Sequence, residues 1–173
     1  MNRITTEFPI SSDLENYSYS VITGKEFIIP NKQSPEKEKF DHSWENLKKD
    51  NYLKDGKSFR YRQFRYFYFL PSSQKIVPFA STPYYQPPET NQYAEGIDRL
   101  FDSMTEEVIN NAFLRELIKF DFLQLPVQET MKSTPWLLDI HQVRIVTTEA
   151  ENGEPTPEGI HHDENDFVCI HLI

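Results

Sequence analysis

Residues 58–69 read Ser58-Phe59-Arg60-Tyr61-Arg62-Gln63-Phe64-Arg65-Tyr66-Phe67-Tyr68-Phe69. A run this rich in aromatic side chains, with no glycine or proline, is expected to form a long β-strand. Alternate residues of a strand point to opposite faces. Arg60, Arg62, Phe64, Tyr66 and Tyr68 therefore share one face, and Phe59, Tyr61, Gln63, Arg65, Phe67 and Phe69 share the other. Both faces mix aromatic and polar groups, so each is expected to meet protein or ligand rather than bulk water.

A second strand is expected over residues 137–148, where Leu138, Ile140, Gln142, Arg144 and Val146 alternate onto one face. Residues 149–158 carry Asn152-Gly153, Pro155 and Pro157 and read as a turn-rich loop. A third strand is expected from Ile160 through Phe167-Val168-Cys169-Ile170-His171-Leu172-Ile173. That apolar run asks for burial on both faces and a neighbour on each edge. It reads as an interior strand whose partners lie further along a longer chain.

Upstream, residues 1–23 suggest a loose arm or an edge strand. Glu26-Phe27-Ile28-Ile29-Pro30 suggests a short strand stopped by proline. Ser34-Pro35 followed by acidic residues is a helix start. Phe40, Trp44 and Leu47 fall on one helical face, and Asp55-Gly56 is the expected end. Residues 71–88 are proline-rich and expected to be irregular. The best helix is expected to open at residues 102–107, with Ser103 and Glu106 at capping-box spacing, and to run to about Phe120.

The chain has 173 residues, suited to one domain spanning 1–173. Lys plus Arg is 18 against 27 Asp plus Glu, a net charge of −9, which argues against nucleic acid or an anionic membrane as partner. With 24 aromatic residues the chain is expected to fold. One cysteine, Cys169, excludes a disulfide framework and suits the cytoplasm. It reads as a small buried apolar side chain. No apolar leader or spanning window is visible.

His161-His162-Asp163 is the strongest site candidate. His161 and Asp163 share a strand face and offer one imidazole and one carboxylate to a metal, two-thirds of the triad used by non-heme Fe(II) oxygenases. His171 is a conceivable third ligand, but its apolar setting favours a packed core histidine. Arg60 and Arg62, on one face, suit a carboxylate or stack on aromatic rings as structural cations. In His141-Gln142-Val143-Arg144, the arginine binds a substrate carboxylate or pairs with Asp139 or Asp166.

The block at 141–145, the proline-rich loop and residues 157–173 together resemble the bacterial 2-oxoglutarate/Fe(II)-dependent dioxygenases that hydroxylate free L-amino acids, the L-isoleucine 4-hydroxylase-like group. Arg60-Tyr61-Arg62 resembles that family's Arg-x-Arg segment, and Gln86, Asn91, Tyr93 and residues 96–101 resemble its middle region. The His-Gln-Val-Arg and His-x-Asp blocks stand 20 residues apart, in order. The resemblance implies a double-stranded β-helix, a cupin-like jelly-roll with flanking helices. It implies His161 and Asp163 as iron ligands, and Arg60, Arg62, Gln142 and Arg144 as substrate or co-substrate contacts. Fe(II), 2-oxoglutarate and O2 are the implied requirements, an L-amino acid the implied substrate, and succinate and CO2 the co-products. The family's second histidine ligand and its 2-oxoglutarate-binding basic residue lie downstream of the His-x-Asp strands. On this reading the barrel is incomplete in the chain. The rival expectation is a catalytically incomplete jelly-roll that binds a small carboxylate without turnover.

Overall fold

The aromatic run forms the strand around which the sheet is built. The computed structural model describes residues 3–30, 32, 34–80, 82–88, 96–157, 159 and 164–173. In chain order the elements are β1 (Thr5–Thr6), α1 (Ile10–Tyr17), β2 (Phe27–Ile28), α2 (Pro35–His42), β3 (Lys48–Lys49), β4 (Arg60–Leu70), β5 (Lys75–Pro78), β6 (Asp102–Ser103), α3 (Glu106–Ile109), α4 (Ala112–Gln124) and β7 (Trp136–Ile145). β7 pairs antiparallel with β4 from Arg60↔Ile145 to Phe69↔Trp136. The other edge of β4 is shared by antiparallel β3, parallel β6 and antiparallel β5. β1 and β2 form a separate two-stranded ribbon. The architecture is an open mixed sheet with flanking helices, with no closed barrel among the described residues.

Register decides which face is which, because directly opposed residues share a face. Gln63 and Gln142, Phe67 and Leu138, and Phe69 and Trp136 oppose one another on the packed face. There Phe67 and Phe69 meet Phe40 of α2, Val108 and Ile109 of α3, and Leu114, Ile118 and Phe122 of α4 in one buried cluster. Two buried amides sit in that layer. Gln63 donates to Gln142 Oε1, and Gln142 Nε2 donates to Ser43 Oγ (2.8 Å), so neither amide is buried without a partner.

Several elements differ from expectation, each for a local reason. α2 starts as read, with Ser34 Oγ accepting from Lys37 N, but ends at His42 rather than Gly56. A 3-10 turn follows, and pairing of Lys48–Lys49 with β4 captures the chain before another helical turn forms. The expected helix over 102–120 is two helices. Asp102–Ser103 join the sheet, Thr105 caps α3, and Asn111 Oδ1 accepts from Phe113 N and Leu114 N to start α4. Asn111 Nδ2 donates to Glu36 O (2.8 Å), which locks this break against α2. Residues 71–88 contain β5, and residues 1–23 contain α1.

The largest correction concerns the end of the chain. Among residues 164–173 there is no strand. Phe167 packs on Trp136 with ring centroids 6.1 Å apart, and His171 Nε2 lies 3.0 Å from Asp121 of α4. These side-chain anchors hold the segment against the helix layer, and Val168, Ile170, Leu172 and Ile173 are exposed. His171 is therefore not a core residue, and Cys169 is exposed rather than buried.

Candidate active site

The open face carries the opposed pairs Arg62 and Val143, Phe64 and His141, and Tyr66 and Asp139. Arg60 lies on the same side. Its Nε donates to Asp50 Oδ2 at 2.7 Å, and both side chains are essentially buried. Asp50 is fixed from its own backbone as well: its N donates to Arg60 O, and its Oδ1 accepts from Tyr52 N at 2.9 Å. Arg62 Nη1 stands 3.8 Å from Asp50 Oδ2. Tyr52 then reaches the next segment, where its hydroxyl accepts from Leu100 N (2.7 Å). That brace positions Arg99 and Phe101 over the sheet.

The result is a cationic wall held by aromatic rings. Arg62 stacks 4.5 Å over Phe101, and Arg99 stacks 4.9 Å over Tyr84. Arg99 Nη2 donates to Gln86 Oε1 at 2.5 Å. Tyr84 and Arg99 also form a reciprocal backbone bridge. Among the described residues Asp50 is the one buried acid, set against buried Arg60 and Arg99.

His141 sits within this wall. Its ring lies 4.5 Å from Phe64 and 5.0 Å, edge-on, from Tyr84. Burial, then the charges of Arg62, Arg99 and Arg60, hold its pKa well below the usual 6.5, so the imidazole is neutral at pH 7. Its Nδ1 is buried and has no hydrogen-bond partner among the described residues. Beside it lies a cavity of about 150 Å³ lined by Tyr66, Tyr84, Tyr85, Gln86, Leu137, Asp139, Glu164 and Asn165. Burial, and then the Asp139 carboxylate, raise the Tyr66 phenol above its usual 10.

Of the residues singled out in the sequence, Arg60 and Arg62 lie on this face. Gln142 and Arg144 lie on the opposite face: Gln142 joins the buried amide pair, and Arg144 stacks 4.7 Å over Tyr61. His161 and Asp163 lie outside the described residues. Glu164 and Asn165, which follow them directly, line the cavity. Asp50, Arg99, Tyr84 and Asp139 received no site role from the sequence, and His141 was seen only as the first letter of its block. The sole available signal for Arg99 was its place in the middle segment. Among the described residues no group of three His, Cys, Asp or Glu side chains is arranged to hold a metal. Nor is any described helix long and apolar enough to cross a membrane.

Comparison with known proteins places the chain in a family. A protein described as L-isoleucine-4-hydroxylase from Bacillus thuringiensis is 26% identical over 110 residues, covering 63% of this chain and 45% of that one. The crystal structure of a bsmA homologue from Methylobium petroleophilum PM1 superposes with a TM-score of 0.61 at 28% identity, over 72% of this chain and 50% of the other. The crystal structure of IDO from Bacillus thuringiensis gives 0.66 at 17% identity, over 89% and 64%, a likeness of fold. The chain spans about half the length of the relatives it matches. The family described as 2OG-Fe dioxygenase, whose members use Fe(II) and 2-oxoglutarate, matches residues 41–173, and those residues contain the whole cationic wall and the His-x-Asp block. With about three quarters of its length inside that match, the chain belongs to the 2OG-Fe dioxygenase family.

Proposed function

We propose that this protein is an Fe(II)/2-oxoglutarate-dependent dioxygenase that hydroxylates a free L-amino acid or similar small carboxylate, releasing succinate and CO2. The observation that carries the reading is the wall of three guanidiniums around a neutral imidazole, next to a cavity small enough for a metabolite. Its volume lies well below the roughly 300–1,000 Å³ typical of pockets for drug-sized ligands.

His161 and Asp163 would hold the iron, and an imidazole with a carboxylate is a donor set suited to Fe(II). When bound, iron with 2-oxoglutarate and O2 supplies the C–H oxidation. This chain's own residues do the rest. Arg60 and Arg62 offer fork-shaped donors to a carboxylate, pre-set by Asp50 so that little side-chain freedom is lost on binding. Phe64, Tyr84 and Phe101 exclude water around the donors, which strengthens each charged contact. Gln142 and Arg144 act from behind, holding β7 in the register that presents His141. The open sheet is one wall of a double-stranded β-helix. The reducing cytoplasm suits both a lone cysteine and an Fe(II) requirement.

The test, made on the intact protein, is succinate release with Fe(II), 2-oxoglutarate and a panel of L-amino acids and small carboxylates. Wild type is expected to release succinate with at least one of them, and His161→Ala to abolish release. Normal turnover by His161→Ala, or no release from wild type across the panel, overturns the reading.

A further inference from the structure

The open face is built from two parts of the chain, and one side chain touches both. The first part is the β4–β7 pair, with Asp50 bonded to Arg60 at its end. The second is the segment ahead of β6 that carries Arg99, Leu100 and Phe101. Tyr52 N donates to Asp50 Oδ1 at 2.9 Å, which ties the residue to the first part. Its hydroxyl accepts from Leu100 N at 2.7 Å, and its ring meets Phe101 edge-on with centroids 5.4 Å apart, which ties it to the second. Phe101 is in turn the platform under Arg62, at 4.5 Å, and under Arg99, at 5.5 Å.

The same platform is one of three rings around His141: Phe64 at 4.5 Å, Tyr84 at 5.0 Å and Phe101 at 6.3 Å. His141 Nδ1 has no hydrogen-bond partner among the described residues, so no bond at that nitrogen fixes the proton count of the ring. Burial does so first, and then the charges of Arg62, Arg99 and Arg60. Arg60, Arg62 and the Tyr66 phenol of β4 share its face, Arg99 and the Tyr84 phenol lie across it, and Asp139 is its same-face neighbour on β7. Repulsion between a guanidinium and an imidazolium falls with their separation and is strong where water is excluded. The placement of Phe101 therefore decides how much of that repulsion reaches His141.

We propose that Tyr52 is a positioning residue of this site: its hydroxyl on Leu100 N and its ring on Phe101 set how closely the Arg62 and Arg99 guanidiniums approach the His141 imidazole, and so the charge the face presents to a ligand. The proposal rests on the open face being the hydroxylase's site, and it adds a residue that belongs to neither the wall nor the cavity lining. The charge matters because a neutral imidazole keeps one nitrogen as an acceptor, whereas an imidazolium can only donate. Tyr52 is half-buried and its bond to Leu100 N is open to solvent. Water can therefore take over that amide when the hydroxyl is removed, and Tyr52→Phe is expected to fold.

A pH titration of the His141 imidazole by NMR tests this in wild type, Tyr52→Phe and Tyr52→Leu, with the signal assigned by its loss in His141→Gln. Chemical denaturation of each variant is the companion measurement. Tyr52→Phe is expected to raise the His141 midpoint by about half a pH unit, a threefold gain in proton affinity, and Tyr52→Leu to raise it further. Burial of the ring is unchanged, so both midpoints stay below 6.5. A midpoint that is the same in all three proteins overturns the proposal. So does one that moves only in Tyr52→Leu and in step with lost stability, since the ring is then packing and the hydroxyl does nothing. The titration reads placement without turnover, so it fails separately from succinate release. Shifted midpoints in a protein that releases no succinate support the role of Tyr52 and overturn the hydroxylase reading. If Tyr52→Leu does not fold, Tyr52→Phe carries the test alone: a raised midpoint supports the proposal and an unchanged one overturns it.

Discussion

The two faces of the β4–β7 pair come from the same residues in alternation, yet they are different materials. The packed face is aromatic and aliphatic where three helices close it, and its buried polar members are two amides that bond each other. The open face concentrates Arg60, Arg62, His141, Asp139 and Tyr66, with Arg99 laid across them by a separate segment. One face supplies the free energy that holds the strands together. The other spends part of it on buried charge. Because both faces hang on the same backbone hydrogen bonds, the packed side sets the register that brings the site's side chains opposite one another.

Three substitutions separate the faces. Phe67→Ala empties a fully buried position on the packed face and is expected to cost about 3–5 kcal/mol in chemical denaturation, leaving carboxylate affinity of the folded fraction unchanged. A loss of affinity in proportion to stability would show that the faces are not separable. Asp50→Ala, on the open face, removes the carboxylate that neutralises buried Arg60 and orients Arg62. It is expected to cost about 3 kcal/mol of stability and to weaken carboxylate binding as well. A loss of stability alone would make Asp50 purely structural. The smallest effect is a pH dependence. His141 has its folded pKa depressed, so the unfolded chain binds the extra proton first, below 6.5. Stability is therefore full above that pH and falls as pH drops through 6.5 toward the folded value. His141→Gln is expected to flatten this acid limb in a series of denaturation curves. An unchanged limb would place the acid sensitivity elsewhere.

β4 and β7 were legible in the sequence because period-two alternation and aromatic or branched side chains are local signals. The Ser34 cap was legible for the same reason. Parity, however, does not say which face is packed. Leu138, Ile140, Gln142 and Arg144 were correctly grouped, but only the register against Phe67 and Phe69 turns them toward the helices and His141 toward the wall. The residues without a signal are those set by long-range contacts: Asp50 matters through Arg60, and Arg99 through Tyr84 and Phe101. The apolar run after Asn165 misled because hydrophobic composition does not distinguish a strand from a segment anchored by Trp136 and Asp121.

The pairing of β4 with β7 has a consequence for the order in which the molecule forms. Residues 71–135 separate the two strands. During synthesis β4 can acquire β3 and β5 early, but its longest partner emerges only after α3 and α4 are made. Closing a loop of that length costs chain entropy before any ladder bond repays it, so this is the slow step of folding. Until it happens, Phe64 has no His141 opposite it, and Arg60 and Arg62 have no Ile145 and Val143. The guanidinium wall is therefore among the last parts of the protein to exist, and a nascent chain that stalls before residue 136 carries Arg60 and Arg62 without the strand that completes their face.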